Sequence, residues 1–69
     1  MKVVIKWTNK FSGETGFVQS VSAKEKHFNN TYEQKEARQY ASAATANRTI
    51  ASLVNYGEAE NNDFEVVAV

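Results

Sequence analysis

The chain opens on a period of two. Met1, Val3, Ile5 and Trp7 fall on one side, and Lys2, Val4, Lys6 and Thr8 on the other. Alternation with β-branched residues and a tryptophan predicts a half-buried strand. Asn9-Lys10-Phe11-Ser12-Gly13-Glu14-Thr15-Gly16 follows, its asparagine and glycines marking a turn. A second strand is predicted from about Phe17, with Phe17, Gln19, Val21 and Ala23 on one face and Val18, Ser20, Ser22 and Lys24 on the other. Two strands joined by a short glycine-containing loop read as a hairpin.

The pattern then changes to a helical one. Thr31-Tyr32-Glu33-Gln34 matches a capping box, in which the threonine oxygen accepts an early helical N–H and the glutamine reaches back. From Tyr32 to about Tyr56 there is no glycine or proline and there are six alanines, which predicts one long helix. Gly57 is its expected stop, and Glu33 and Glu36 suit its N-terminal dipole. Asn61-Asn62-Asp63 reads as a turn, and Phe64-Glu65-Val66-Val67-Ala68-Val69 as a last strand with Phe64, Val66 and Ala68 on its apolar face. With the chain stopping inside that strand, its end is expected to be ordered.

The expected fold is therefore α+β: one domain, residues 1–69, with the order ββαβ. A three-stranded antiparallel sheet in the order 2-1-3 carries the long helix on one face. The first strand, with its Val-Val-Ile run, suits the centre, and the helical crossover between strands two and three is expected to be right-handed. One irregularity stands out. At helical spacing Ala37, Tyr40, Ala41 and Ala44 form one stripe, while Ala43, Ile50, Leu53 and Val54 form another, rotated by roughly a third of a turn. A straight helix cannot bury both well. The pattern implies a bend near Ala43–Asn47 or a second apolar surface around Leu53, which makes Leu53 the candidate for self-association in a weak homodimer. The reading leans towards a partly exposed Leu53. Asn47, between the stripes, would need a hydrogen-bond partner if buried.

Composition narrows the chemistry. At 69 residues, a chain buries only about 60% of the surface that its unfolded form exposes. It has no cysteine and one histidine, so disulfides and a zinc site are not expected, and no cofactor is predicted. Packing, alone or with self-association, has to supply the stability. Cysteine absence fits a reducing cytosol. The first apolar run is broken by lysines and too short for a signal peptide or a membrane span, so a cytoplasmic protein with no membrane partner is expected. Asn29-Asn30-Thr31 and Asn47-Arg48-Thr49 match the glycosylation pattern, which carries no meaning without a secretory signal.

Charge adds a layout. Eight basic and eight acidic residues balance, which weakens a general nucleic-acid-binding reading. Residues 1–30 nevertheless carry net +3, through Lys2, Lys6, Lys10, Lys24 and Lys26 against Glu14 and Glu25. Residues 31–69 carry net −3. Such asymmetry describes surfaces rather than fold.

Catalytic chemistry is sought and not predicted. His27 lies in the charged stretch Lys24-Glu25-Lys26-His27 and reads as solvent-facing, without a nucleophile and an orienting group beside it. Glu58, Glu60, Asp63 and Glu65 lack the spacing and turn glycine of a calcium loop. Gly13-Glu14-Thr15-Gly16 has the GxxG form that clamps a nucleic-acid backbone in KH domains, but a hairpin turn explains both glycines better. The sharper candidate is the sheet face away from the helix, expected to show Lys2, Val4, Lys6, Val18, Lys24 and Val67. Those residues, with Phe11 exposed in the hairpin loop, form a candidate partner-binding surface. A nucleic-acid accessory protein using Lys2, Lys6, Lys24 and Lys26 is the alternative, but strand surfaces that bind single strands stack bases on aromatics, and this face offers none. The expected partner is a protein.

The Ser-Gly-Glu-Thr-Gly-Phe hairpin, the Glu-Ala-rich helix opening and the Phe-Glu-Val-Val ending give the whole chain a layout that resembles the small uncharacterised ββαβ proteins of Gram-positive bacteria and their phages. That resemblance implies a cytoplasmic accessory protein of prophage type and carries over no functional residue.

Overall fold

The sheet has four antiparallel strands, one more than expected. In the computed structural model, which describes residues 2–69, β1 is Val3–Asn9, β2 Thr15–Ser22, β3 His27–Thr31 and β4 Asn62–Ala68. They lie side by side in the order β3-β2-β1-β4. The expected 2-1-3 arrangement survives as β2-β1-β4, and β3 extends it outside β2. Met1, placed by alternation on the apolar side of β1, lies outside the described residues. β1 is central for the reason its sequence suggests: Val3, Val4, Ile5 and Trp7 are all buried.

The first hairpin turns as the sequence indicates. Asn9 Oδ1 accepts from the Phe11 and Ser12 N–H groups, both at 2.9 Å, and Gly13 takes a positive φ of 77°. The second hairpin escapes the sequence pattern. Ala23–Lys26 turn the chain, with Lys26 at a φ of 58°, and His27–Thr31 pair with β2. The residues of β3 have no alternation of apolar and polar positions, and Asn29 and Asn30 have low strand propensity. Pairing with β2 and the one large apolar side chain, Phe28, hold it in place.

A register shift between Val18 and Ser20 puts Phe17 and Val18 on the faces opposite to those expected, while Val21 keeps its expected core side. Residues directly opposite in neighbouring strands share a face. Phe17 stands opposite Lys6 and so lies on the far side from Ile5 and Trp7, whereas Val18 is fully buried in the core with Ile5. After the bulge, Val21 returns to the core side and packs against it. One extra residue changes the side of everything that follows it.

The long helix is also shorter than its composition suggests. α1 runs Ala43–Asn55, not Tyr32–Tyr56. Ser42 is the N-cap, its side chain accepting from the Thr45 N–H at 3.3 Å. The preceding residues form a short 3-10 turn at Gln34–Glu36 and then run extended. Tyr40 exchanges both backbone hydrogen bonds with Val3, at 3.0 and 2.8 Å, and Arg38 N–H donates to Val18 O at 3.0 Å. The segment thus wedges between the β1 start and the bulged part of β2, and those tertiary bonds outweigh the helix propensity of the alanines. The two rotated stripes are thereby explained. Ala37 and Tyr40 are buried outside the helix, and Ala46, Ile50 and Leu53 are the face that α1 turns to the sheet. Leu53 is fully buried, which overturns its placement as a partly exposed self-association residue. Asn47 is exposed. Gly57 ends the helix at a φ of 88°, as expected.

Among the described residues no helix is long and apolar enough to cross a membrane.

Candidate functional site

α1 packs against β1 and β4. The sheet is four strands wide, so the same face continues past the helix towards β2 and β3. Aromatic rings cover that remainder. Trp7 reaches from β1 across Gly16 of β2 to the β3 side, where its ring meets Tyr32 edge-on at 6.0 Å and Phe28 at 6.4 Å. Phe28 in turn meets Phe64 of β4 at 5.5 Å. Gly16 permits this crossing because it has no side chain: a Cβ there would lie 2.6 Å from Trp7 Cζ2. The indole N–H is satisfied by Phe17 O at 3.2 Å, so Trp7 is a buried anchor, 5% exposed, as its position in β1 predicts.

Above these rings lies an open cleft of about 210 Å³. Trp7, Phe28 and Tyr32 form its aromatic part, and Asn9, Asn30 and Asn62 its amides. Glu14 and Glu58 add two carboxylates. The polar groups differ in what they already hold. Asn9 is engaged in the hairpin turn, and Asn62 Nδ2 donates to Glu58 O at 3.3 Å. Among the described residues, the Glu14 and Glu58 carboxylates form no ion pair with a lysine or arginine, and no lysine or arginine lines the cleft. The nearby Lys10 ammonium lies 3.8 Å from Asp63. No metal-binding cluster of three or more His, Asp or Glu side chains occurs among the described residues.

His27 starts β3, one residue before Phe28. Its ring nitrogens lie 3.1 Å from Phe28 O and 3.0 Å from Glu25 Oε1. Both partners accept, so the doubly protonated ring satisfies both at once. The bond to the Phe28 carbonyl raises the imidazole above its ordinary 6.5, desolvation opposes, and Glu25 and Glu58 add to the rise. With the folded value above the unfolded one, this contribution to stability is present in full below the unfolded value and is lost as pH rises through the folded value. NMR titration of His27 is expected to give a midpoint above 6.5, and Glu25→Gln to lower it. A midpoint unchanged by Glu25→Gln would show that the glutamate contact does not form in solution.

The candidate surface read from the sequence is only partly assembled. Val4 and Val18 are fully buried and cannot meet a partner: Val18 because the bulge turns it inward, Val4 because the face opposite the helix is not open at that position. Lys6 is half-buried and stands opposite Glu65 across the strand pair. Val67 is half-buried, opposite Val4. Phe11 is 80% exposed at the tip of the first hairpin, as expected. Lys2 and Lys24 are exposed, and antiparallel pairing puts the Ala23–Lys26 turn at the same end of the sheet as the start of β1. Lys2 and Lys24 thus lie together at one end, away from the first hairpin, while Lys6 sits mid-strand, and the described residues form no continuous valine-and-lysine face. The aromatic cleft was missed because its assembly depends on β3. One signal pointed to it: Phe28, Asn30 and Tyr32 recur at every second residue, the spacing that puts all three on one side of a strand, although the Phe28–Tyr32 separation of four fits a helix face as well. Comparison with protein-family models, curated proteins and solved structures finds no match to this chain.

Proposed function

We propose that this chain is a non-enzymatic protein-interaction module of the cytoplasm, working as a monomer and presenting the cleft between the first hairpin, β3 and the Glu58–Glu60 turn to its partner. The observation that carries the reading is the cleft itself, in which aromatic rings and hydrogen-bonding side chains from four separate segments converge with carboxylates left unpaired. Convergent aromatic and hydrogen-bonding groups in a concave site are a usual mark of ligand binding, and here polar residues, five of the eight, dominate the lining. At about 210 Å³ the cleft falls below the roughly 300–1,000 Å³ of pockets that enclose a whole small molecule. It suits one or two side chains of a larger partner. The accessory role agrees with what the resemblance to small proteins of Gram-positive bacteria and their phages implies.

The test is selection of peptides from a random displayed library on the purified domain, followed by amide shift mapping. Selected peptides are expected to move the amides of Trp7, Phe28, Asn30 and Glu58. A random DNA or RNA probe that instead binds with steep salt dependence and moves Lys2, Lys24 and Lys26 would replace this reading with the nucleic-acid one.

A further inference from the structure

We infer that the group this cleft takes is an arginine side chain of a basic peptide, a reading that rests on the cleft being the partner-binding site. Three properties point to a planar cation. Glu14, from the first hairpin, and Glu58, from the turn after α1, both line the cleft, with no lysine or arginine among its lining residues. Two carboxylates lining one concave site without an ammonium or guanidinium beside them favour a cation bound there. Tyr32, 60% exposed, keeps ring surface available for stacking while it meets Trp7 in an edge-to-face pair.

A guanidinium matches this combination better than an ammonium. It is planar, stacks on aromatic faces and donates in a fixed fork to carboxylates. Asn30, whose side chain has no hydrogen-bond partner among the described residues, adds a carbonyl acceptor for a remaining N–H. The floor is already closed, since Trp7 is buried and its N–H is bonded to Phe17 O. The guanidinium therefore lies over the aromatic layer without entering the core.

Trp7 is the single tryptophan of the chain and lines the cleft, so its fluorescence reports occupancy. Hexa-arginine is titrated at low salt, with hexa-lysine and hexa-glutamate as comparisons, and the site is located by amide shifts. Saturable binding is expected, tighter for hexa-arginine than for hexa-lysine. Glu14→Gln and Glu58→Gln are near-isosteric changes whose retained fold is checked by thermal melting. Each should weaken binding by roughly three- to tenfold, the loss of a partly exposed charge-assisted hydrogen bond. Tyr32→Ala should weaken it about two- to fivefold through lost stacking. Hexa-arginine binding that ignores both glutamine variants, or that maps to Glu33, Glu36 or Glu65, overturns the assignment. If library peptides without arginine occupy the cleft while hexa-arginine does not, the arginine assignment fails and the interaction-module reading stands. If no peptide of any charge reaches the cleft, both fail.

Discussion

Leu53→Lys is expected to unfold the domain. Leu53 is fully buried on the sheet-facing side of α1, in the cluster that contains Val3, Ile5, Val18 and Ala46. Truncation to alanine at such a site costs about 2–5 kcal/mol through lost burial and a residual cavity. Lysine adds the desolvation of an ammonium that has no partner there, several kcal/mol more. A chain of 69 residues has on the order of 3–10 kcal/mol to lose at the usual stability per residue. Circular dichroism of Leu53→Lys should therefore show no cooperative melt, and Leu53→Ala a lowered one. If Leu53→Lys melted near the wild-type temperature, whether or not a dimer was lost, Leu53 would be a surface residue after all.

Trp7→Ala should come close to the same outcome. The side chain joins the core to the aromatic layer over β2 and β3, and large aromatic truncations in cores cost about 3–5 kcal/mol. Gly16 tests the geometry more finely. A Cβ added there would lie 2.6 and 2.8 Å from Trp7 Cζ2 and Cε2 and 2.9 Å from Thr31 O. Either the buried indole or the β2–β3 backbone has to move, and overpacking of this kind costs about 1–3 kcal/mol. Gly16→Ala should also shift Trp7 emission, because the added Cβ pushes the indole away from its place over Gly16. The effects are expected to be non-additive: in a Trp7→Phe background, whose smaller ring stays in the core but lacks the Cζ2 edge, Gly16→Ala should cost less, since one of its two obstacles has gone. Chemical denaturation of the four proteins measures that coupling. Additive losses would mean that the indole does not cross Gly16.

The lesson of the predicted helix is local. Residues 32–42 have good helix propensity and a plausible cap at Thr31, and nothing in their own sequence forbids a helix. Tyr40 is nevertheless extended, because Val3 and Val18 offer it and Arg38 backbone partners where the bulged β2 departs from β1. Ser42 then caps α1. The two incompatible stripes were the legible trace of this break: residues that cannot share one helical face belong to two elements. The face assignment of Phe17 and Val18 failed for a related reason. A bulge leaves no mark in a run such as Phe17-Val18-Gln19-Ser20-Val21, where polar and apolar residues fit either register.

By itself the sequence determined what depends on local chemistry. The period of β1 and β4, the turn glycine Gly13, the helix stop at Gly57, Trp7 in the core and Phe11 on the surface all follow from residue type and spacing. Only the tertiary structure decided which residues share a face and what they surround. β3 has too little apolar character to announce itself and exists through its pairing with β2. The cleft follows from that pairing, because Phe28, Asn30 and Tyr32 meet Trp7, Glu14 and Glu58 only when a fourth strand extends the sheet beyond the helix. Local propensity amounts to tenths of a kcal/mol per residue, while paired strands and a buried aromatic layer contribute several together, so the larger, nonlocal terms set the site.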